Sequence, residues 1–173
     1  DLTPDYAAIP TEMKAVAACF GKDVLIEVSE DEVLANAAKV RESCGDRAFL
    51  RAIHFYEENK RVQKEVAALN AKDIAEFLPT VNASGNSSYK YLQNVYTSHN
   101  VEQQNMSIAL MVSEMTLGEN GVARVHGGGF AGTIQAFVKN ENTTKYQEAM
   151  DNIFGESSCQ ILKIRKYGGI KIV

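Results

Sequence analysis

Apolar positions in the first half of the chain recur at helical spacing. Ile9, Met13, Val16, Ala17 and Phe20 fall on one side of a helix over positions 4–20. Thr3 serves as its N-cap, Pro4 takes the first helical position, Asp5 lies in the first turn, and Gly21 stops it. Pro10 sits inside this pattern and predicts a kink or break, because its ring frees the carbonyl of Tyr6. Positions 24–28 read as a short extended piece. Ser29 and Glu32 form a capping box for a helix to about Val40. Asp46 then caps the longest helix, to about Leu69. Phe49, Ile53 and Tyr56 make one apolar stripe on it, and Phe55, Val62, Val66 and Leu69 a second, which predicts packing on two sides. Asp73 and Glu76 open a further helix that Pro79 should bend or end.

The second half begins with a polar, turn-rich loop at 82–88. Ser88 is expected to cap a short helix carrying Leu92, Val95 and Tyr96. Asn100 with Gln103 starts the next, which buries Val101, Ile108, Met111 and Met115 and stops at Gly118. Apolar and small residues at Val122, Ala123 and Val125 read as a strand. The β-branched and aromatic run 133–138 reads as another. Thr143 or Thr144 caps a helix with Tyr146, Met150 and Ile153, ended by Gly155. Positions 159–164 and 170–173 read as two more strands, turned by Gly168-Gly169. Hairpin-length links between the strands predict an antiparallel sheet with helices on one face, an α+β domain. No internal repeat or linker divides the chain.

Between the two central strands lie Gly127, Gly128, Gly129 and Gly132, four glycines in six residues, with Phe130 among them. Each glycine loses the most backbone entropy on ordering, so the stretch needs positive φ angles or a close approach of backbone to something else. The residues themselves leave two readings open. One is a loop whose bare amides meet a ligand or a second loop; the other is a hairpin turn with a bulge. His126 precedes the glycines. On the long helix Arg51, His54, Glu58 and Arg61 share one strip, at spacings that make them neighbours. They read as a buried, charge-paired strip that holds the helix, with Arg124 in the same network.

Composition narrows the class. The 173 residues suffice for one domain with a sizeable core, and a net charge of −4 argues against a general nucleic-acid binder. No apolar run reaches the roughly 18 residues that a membrane helix requires. Cys19, Cys44 and Cys159 are odd in number, far apart in sequence and without metal-ligand spacing, which predicts reduced thiols and no metal site. No nucleophile elbow, zinc pattern, dinucleotide fingerprint or P-loop is present, and no complete active site is visible. The chain opens on Asp1 at a helix-entry signal, which reads as an excised piece of a longer protein or the scar of a removed tag.

The stretch Ala123-Arg124-x-x-Gly127-Gly128-Gly129-Phe130-x-Gly132 resembles the third signature of the GHMP small-molecule kinases, and within them the galactokinase pattern A-R-M-T-G-[AG]-G-F-G-G-C. Arg51-Ala52-x-His54 followed by Glu58-Asn59-x-Arg61-Val62 is similar to the family's R-A-x-H and E-N-x-R-V helix. Leu2 and Asp5-Tyr6 fall where galactokinases carry L-x-x-S-E-Y. Positions 82–88 resemble the family's N-x-S-H-x-S-L stretch, and 98–102 its S-x-P-E segment. The matches keep the family's order over nearly the whole chain.

The resemblance implies the C-terminal domain of a galactokinase, positions 1–173, with the ferredoxin-like antiparallel sheet of that domain packed with several helices. It implies a cytoplasmic enzyme that transfers the γ-phosphoryl of ATP, with Mg²⁺, to the anomeric hydroxyl of galactose or a related sugar. The family's sugar-recognition signature, phosphate loop and catalytic Asp are missing here, so no catalytic residue is expected in this chain and the chain alone should be inactive. Gly127, Gly128, Gly129, Phe130 and Gly132 are the expected substrate-proximal loop, with Gly128, Gly129 and Phe130 nearest. Tyr6 is a possible sugar contact, or an ordinary half-buried helix tyrosine. His126, Ala131 and Thr133 depart from the family's Thr or Ser, Gly and Cys. His126 adds a titratable group that either favours a phosphate or packs. The departures leave room for a kinase of another sugar. The runner-up is a non-catalytic relative that senses sugar and nucleotide and contacts a partner, and a plainer alternative is a free-standing α+β ligand-binding domain.

Overall fold

The structure is a computed structural model that describes residues 1–164, 167, 168 and 171. Helix α1 spans Thr3–Ala18 and runs unbroken through Pro10, contrary to the expected kink. Pro10 is exposed, and burial of Val16 and Ala17 two turns farther on anchors the helix against the rest of the fold. The N-cap is Leu2 rather than Thr3, whose amide instead donates to the Asp1 carboxylate at 2.9 Å. The expected extended piece at 24–28 is a 3₁₀ turn, Leu25–Glu27, between extended Val24 and Val28.

The Ser29–Glu32 capping box forms and opens helix α2, Glu30–Ala35. The expected single helix breaks at Asn36 and restarts as α3, Ala37–Cys44. The Asn36 side-chain amide donates to the Glu32 carbonyl at 2.9 Å, a side-chain competitor for a backbone acceptor that interrupts the ladder.

Helix α4, Asp46–Ala71, is the longest element and follows Gly45 at φ +87°. Asp46 does not cap it; its carboxylate pairs with Arg41 at 2.7 Å. The first apolar stripe packs with α1 and α3 around Val16, Val33, Val40, Ala48 and Ala52. The far end of the second stripe is uncovered, with Val62, Val66 and Leu69 each about half exposed, so two-sided packing holds only for part of the helix.

Helix α5, Ile74–Ser87, continues through Pro79 and takes up most of the stretch expected to be a loop at 82–88. Small side chains explain this. Ser84 is fully buried, and a Cβ on Gly85 would stand 2.9 Å from the Arg124 Cβ, so this helix accepts a strand at very close range. One π-helical turn, Ser88–Leu92, follows in place of the expected Ser88-capped helix and ends at Gln93 in the left-handed region. Helix α6, Asn105–Leu117, starts later than expected because Asn100 instead makes a local turn with the Glu102 amide. It stops at Gly118, φ +50°. It buries Met106, Val112 and Leu117, whereas Val101, Ile108, Met111 and Met115, expected inside, are exposed.

Strands β1, Gly121–His126, and β2, Thr133–Val138, pair antiparallel from Gly121↔Val138 to His126↔Thr133. Both faces are covered. Val122 and Phe137 pack on α4 and α5 with Ala68, Phe77 and Val81. Ile134, Ala136 and Val138 pack on α6 and on α7, Thr143–Phe154. The expectation of helices on one face is therefore corrected: apolar residues on both faces of the hairpin attract a helical layer to each. Asn142 is the N-cap of α7 in place of Thr143 or Thr144, and Gly155 ends it at φ +97°.

Positions 159–164 are not a strand. The Cys159 amide donates to Asp151 and its carbonyl accepts from Gln147, so α7 side chains take the groups a neighbouring strand would use. Ile161, Leu162 and Ile164 are exposed. The expected strand 170–173 and its Gly168-Gly169 turn lie largely outside the described residues. Among the described residues the result is an α+β fold, helices around a two-stranded hairpin. None of the described helices is long and apolar enough to cross a membrane.

Candidate functional site

The register of the hairpin leaves positions 127–132 as its loop. Gly127, Gly129 and Phe130 all have positive φ, +70°, +87° and +57°. For a bulky residue such as Phe130 that conformation is strained, and it persists only where surroundings over-determine it. They do so here. The Phe130 amide donates to the Asn94 carbonyl at 2.6 Å, and its ring is buried edge-on against Tyr6, centroids 5.1 Å apart. The Asn94 side-chain amide donates to the Gly128 carbonyl at 3.3 Å, and the Tyr6 hydroxyl donates to the Gly129 carbonyl at 2.8 Å. Ala131 and Gly132 amides turn back onto the same Gly129 carbonyl.

Contact requires glycine at two positions, and at Gly129 the positive φ requires it as well. A Cβ on Gly129 would lie 2.0 Å from the Asn94 carbonyl oxygen, and one on Gly128 would lie 2.8 Å from the edge of the Tyr6 ring. Gly127 meets nothing within 4 Å. The amides of Phe130, Ala131 and Gly132 are thus spent inside the protein. The loop presents an exposed edge at Gly127 and Gly128, flanked by exposed His126, Ala131, Gly132 and Thr133. Ala131 stands where the backbone has no positive φ, which an L-residue tolerates.

The α4 strip braces this loop from behind, in two separate networks. Arg51, 1% exposed, donates from Nε to the Leu92 carbonyl at 3.0 Å and pairs through Nη1 with Glu12 of α1 at 2.8 Å. It therefore fixes the π turn two residues before Asn94. Burial lowers the Arg51 pKa, against the pull of Glu12. Farther along, Glu58 accepts from Arg61 Nε at 2.7 Å, from Arg124 Nη1 at 3.4 Å and from the Ser84 hydroxyl, joining α4, α5 and β1. Burial pushes the Glu58 carboxyl up, but the Ser84 and Arg61 hydrogen bonds and the Arg61 and Arg124 charges bring it below its ordinary value. His54 lies between the networks, its Nδ1 2.9 Å from the Ser87 hydroxyl; burial lowers its pKa and keeps the ring neutral.

Asn94 carries no sequence signal, because its backbone carbonyl does half the work and it stands in a stretch without periodicity. Its own Oδ1 is buried and has no partner among the described residues. No group of three or more His, Cys, Asp or Glu that could hold a metal occurs among the described residues.

No family model matches the chain. Galactokinase of Glaesserella parasuis serovar 5 (strain SH0165) is 28% identical over 156 residues, 90% of this chain and 38% of that protein. Galactokinase of Actinobacillus pleuropneumoniae serotype 3 (strain JL03) is 29% identical over 81% of this chain and 34% of its own length. That of Staphylococcus carnosus (strain TM300) is 36% identical over 60% of this chain and 25% of its own. Lactococcus lactis galactokinase, solved in complex with galactose, superposes with a TM-score of 0.63 over 88% of this chain and 37% of that one; at 24% identity the likeness establishes the fold. The chain spans about a third of the length of the curated relatives it matches. In sequence the chain is similar to part of these galactokinases, and in fold to part of the Lactococcus lactis enzyme.

Proposed function

We propose that this galactokinase-like chain, residues 1–173, is the C-terminal domain of an ATP-dependent sugar kinase that phosphorylates galactose or a related sugar at its anomeric hydroxyl. The observation that carries the reading is the pinned loop. Tyr6 and Asn94 hold Gly128–Phe130 in place, so that Gly127 and Gly128 face outward as bare backbone. Phosphoryl transfer depends mainly on positioning and electrostatics, and such an edge admits a sugar or a phosphate loop at a range that side chains would forbid. Tyr6 is 40% exposed; its hydroxyl proton is committed to Gly129, which leaves the oxygen to accept from a sugar hydroxyl. His126, at the loop entrance, is an accessory group. Gly129, Phe130 and Gly132 act by shaping the edge.

ATP and Mg²⁺ belong to the reaction; when bound, the metal neutralises phosphate charge. No group of three or more metal-ligating side chains occurs among the described residues, and in this reading the nucleotide phosphates and residues of the rest of the protein would hold the ion. The phosphate loop and catalytic Asp are likewise supplied from outside. The exposed departures at His126 and Thr133 favour a second reading, a kinase for a different sugar. The test is ATP-dependent formation of sugar 1-phosphate from a panel of sugars, with a full-length protein containing this chain and with the chain alone. Product is expected only with the full-length protein, and Tyr6→Phe should lower kcat/KM about tenfold. No product from any sugar would overturn the reading.

A further inference from the structure

Cys19 follows the last residue of α1, and Cys44 is the last residue of α3; 25 positions apart in sequence, their sulfurs stand 3.3 Å apart. This pairing lies away from the glycine loop, and nothing in the kinase reading uses it. We propose that Cys19 and Cys44 are a site of reversible disulfide formation, open to small-molecule disulfides, that fastens the end of α1 to the end of α3.

Packed structure on both sides holds the two thiols together. Val16 and Ala17 of α1 and Val40 of α3 are fully buried in one cluster with Ala48 and Ala52 of α4, and Cys44 packs against the same cluster. A disulfide needs a sulfur separation of about 2.0 Å, so the sulfurs must close by little more than 1 Å. The backbone beside each can absorb that shift. Gly21 stands two residues after Cys19 and Gly45 directly after Cys44, and a Cβ on either glycine would meet nothing within 4 Å. Both cysteines are partly exposed, which gives a reagent access.

The Cys19 thiol stands 3.5 Å from the Ala15 carbonyl, to which it can donate, and within the pair either sulfur can donate to the other. Burial, and then the contact with Cys19, push the Cys44 thiol up to about 11. Cys19 is therefore the attacking sulfur. Its thiolate attacks one sulfur of glutathione disulfide, forming a Cys19–glutathione bond and expelling one glutathione thiolate. Cys44 gives up its proton and attacks the Cys19 sulfur, expelling the second glutathione thiolate. Both cysteines are oxidised, one glutathione disulfide is reduced to two thiols, and the two cysteine protons end on them. Cys159, beside α7, has no thiol partner among the described residues and serves as an internal control.

The experiment equilibrates the 173-residue chain in graded mixtures of reduced and oxidised glutathione, natively and in urea. Thiols are trapped by alkylation and read by intact mass and non-reducing peptide mapping. The native chain should lose two thiols as a unit, with the Cys19 and Cys44 peptides linked. This should need about tenfold less oxidant than in urea, because the fold raises the effective concentration of one thiol at the other. Cys19→Ser and Cys44→Ser should each abolish the link, whereas Cys159→Ser should leave it unchanged. Separate glutathione adducts without the link, or equal oxidant requirements in native buffer and urea, would overturn the proposal. It does not depend on the chain's being part of a kinase.

Discussion

The glycine loop and the α4 strip stand back to back but are held by opposite means. The loop is fixed by backbone: the Asn94 and Gly129 carbonyls, the Phe130 amide and the absence of side chains at 128 and 129. The strip is fixed by charge, with Arg51 on Glu12 and Glu58 between Arg61 and Arg124. One region should answer sharply to a single added carbon and weakly to pH. The other should tolerate shape changes and answer to pH and to charge removal. The contrast suits a site whose exposed edge must stay bare while its support is buried.

The sharpest way to break the contrast is Gly129→Ala. Its Cβ would overlap a backbone oxygen at 2.0 Å, and φ is +87°, so neither a rotamer change nor a side-chain shift relieves it. A loss of about 3 kcal/mol or more is expected in urea unfolding of the chain. If the loss stays below about 1 kcal/mol, the loop is not held against Asn94.

Removing charge from the strip comes next. Glu58→Gln keeps the shape but leaves Arg61 and Arg124 facing a neutral amide. For a pair that is about a quarter exposed, the expected cost is about 1–2 kcal/mol. The same region should set the pH response. His54 is depressed by burial from 6.5, so the unfolded chain binds its proton first and stability falls as pH drops below that value. Glu58 lies net below 4.5, so its contribution, full above 4.5, is lost as pH falls further through its folded pKa. The stability–pH curve should therefore bend twice, and His54→Gln should remove the upper bend alone. A mutant curve with both bends intact would mean that His54 is not the titrating group.

The two regions also differed in how far they could be read from sequence. Within the strip the Glu58–Arg61 pair was legible, because i, i+3 spacing on a helix makes neighbours of them, whereas Arg51 and His54 find their partners on other elements, at Glu12, Leu92 and Ser87. The hairpin was legible from β-branched residues on either side of glycines. Its anchor was not, since Asn94 contributes a carbonyl that any residue carries. Positions 82–87 were misread because Asn, Ser and Gly favour turns locally. In the fold their small size admits β1 against α5, and that contact outweighs propensity. The run 159–164 was misread in the opposite sense: its pattern suits a strand, but α7 side chains take the backbone groups of Cys159. The Cys19–Cys44 contact was invisible, because nothing local marks two residues that only tertiary packing joins.

Within the loop, the contrast sharpens at Tyr6. Tyr6→Phe removes one hydrogen bond to a carbonyl that keeps two backbone donors, so about 1 kcal/mol is expected. Gly128→Ala should cost a similar amount, because the ring it meets is partly exposed and can swing aside. The two changes act on one contact, so the double mutant should cost less than their sum. Strict additivity in urea unfolding would mean that the Tyr6 ring does not rest on Gly128.

The smallest effect should come from the glycine with the most room. Gly127 has φ +70° and nothing within 4 Å of a Cβ, so Gly127→Ala carries only the left-handed backbone penalty, about 1 kcal/mol. Asparagine tolerates that conformation, and Gly127→Asn should cost less than the alanine change. Stability and activity part company here. In the kinase reading the outward edge must remain bare, so Gly127→Asn should leave urea unfolding of the chain nearly unchanged while lowering kcat/KM of the full-length protein. If Gly127→Asn left both unchanged, Gly127 would serve the turn alone, and the substrate-facing edge would shrink to Gly128.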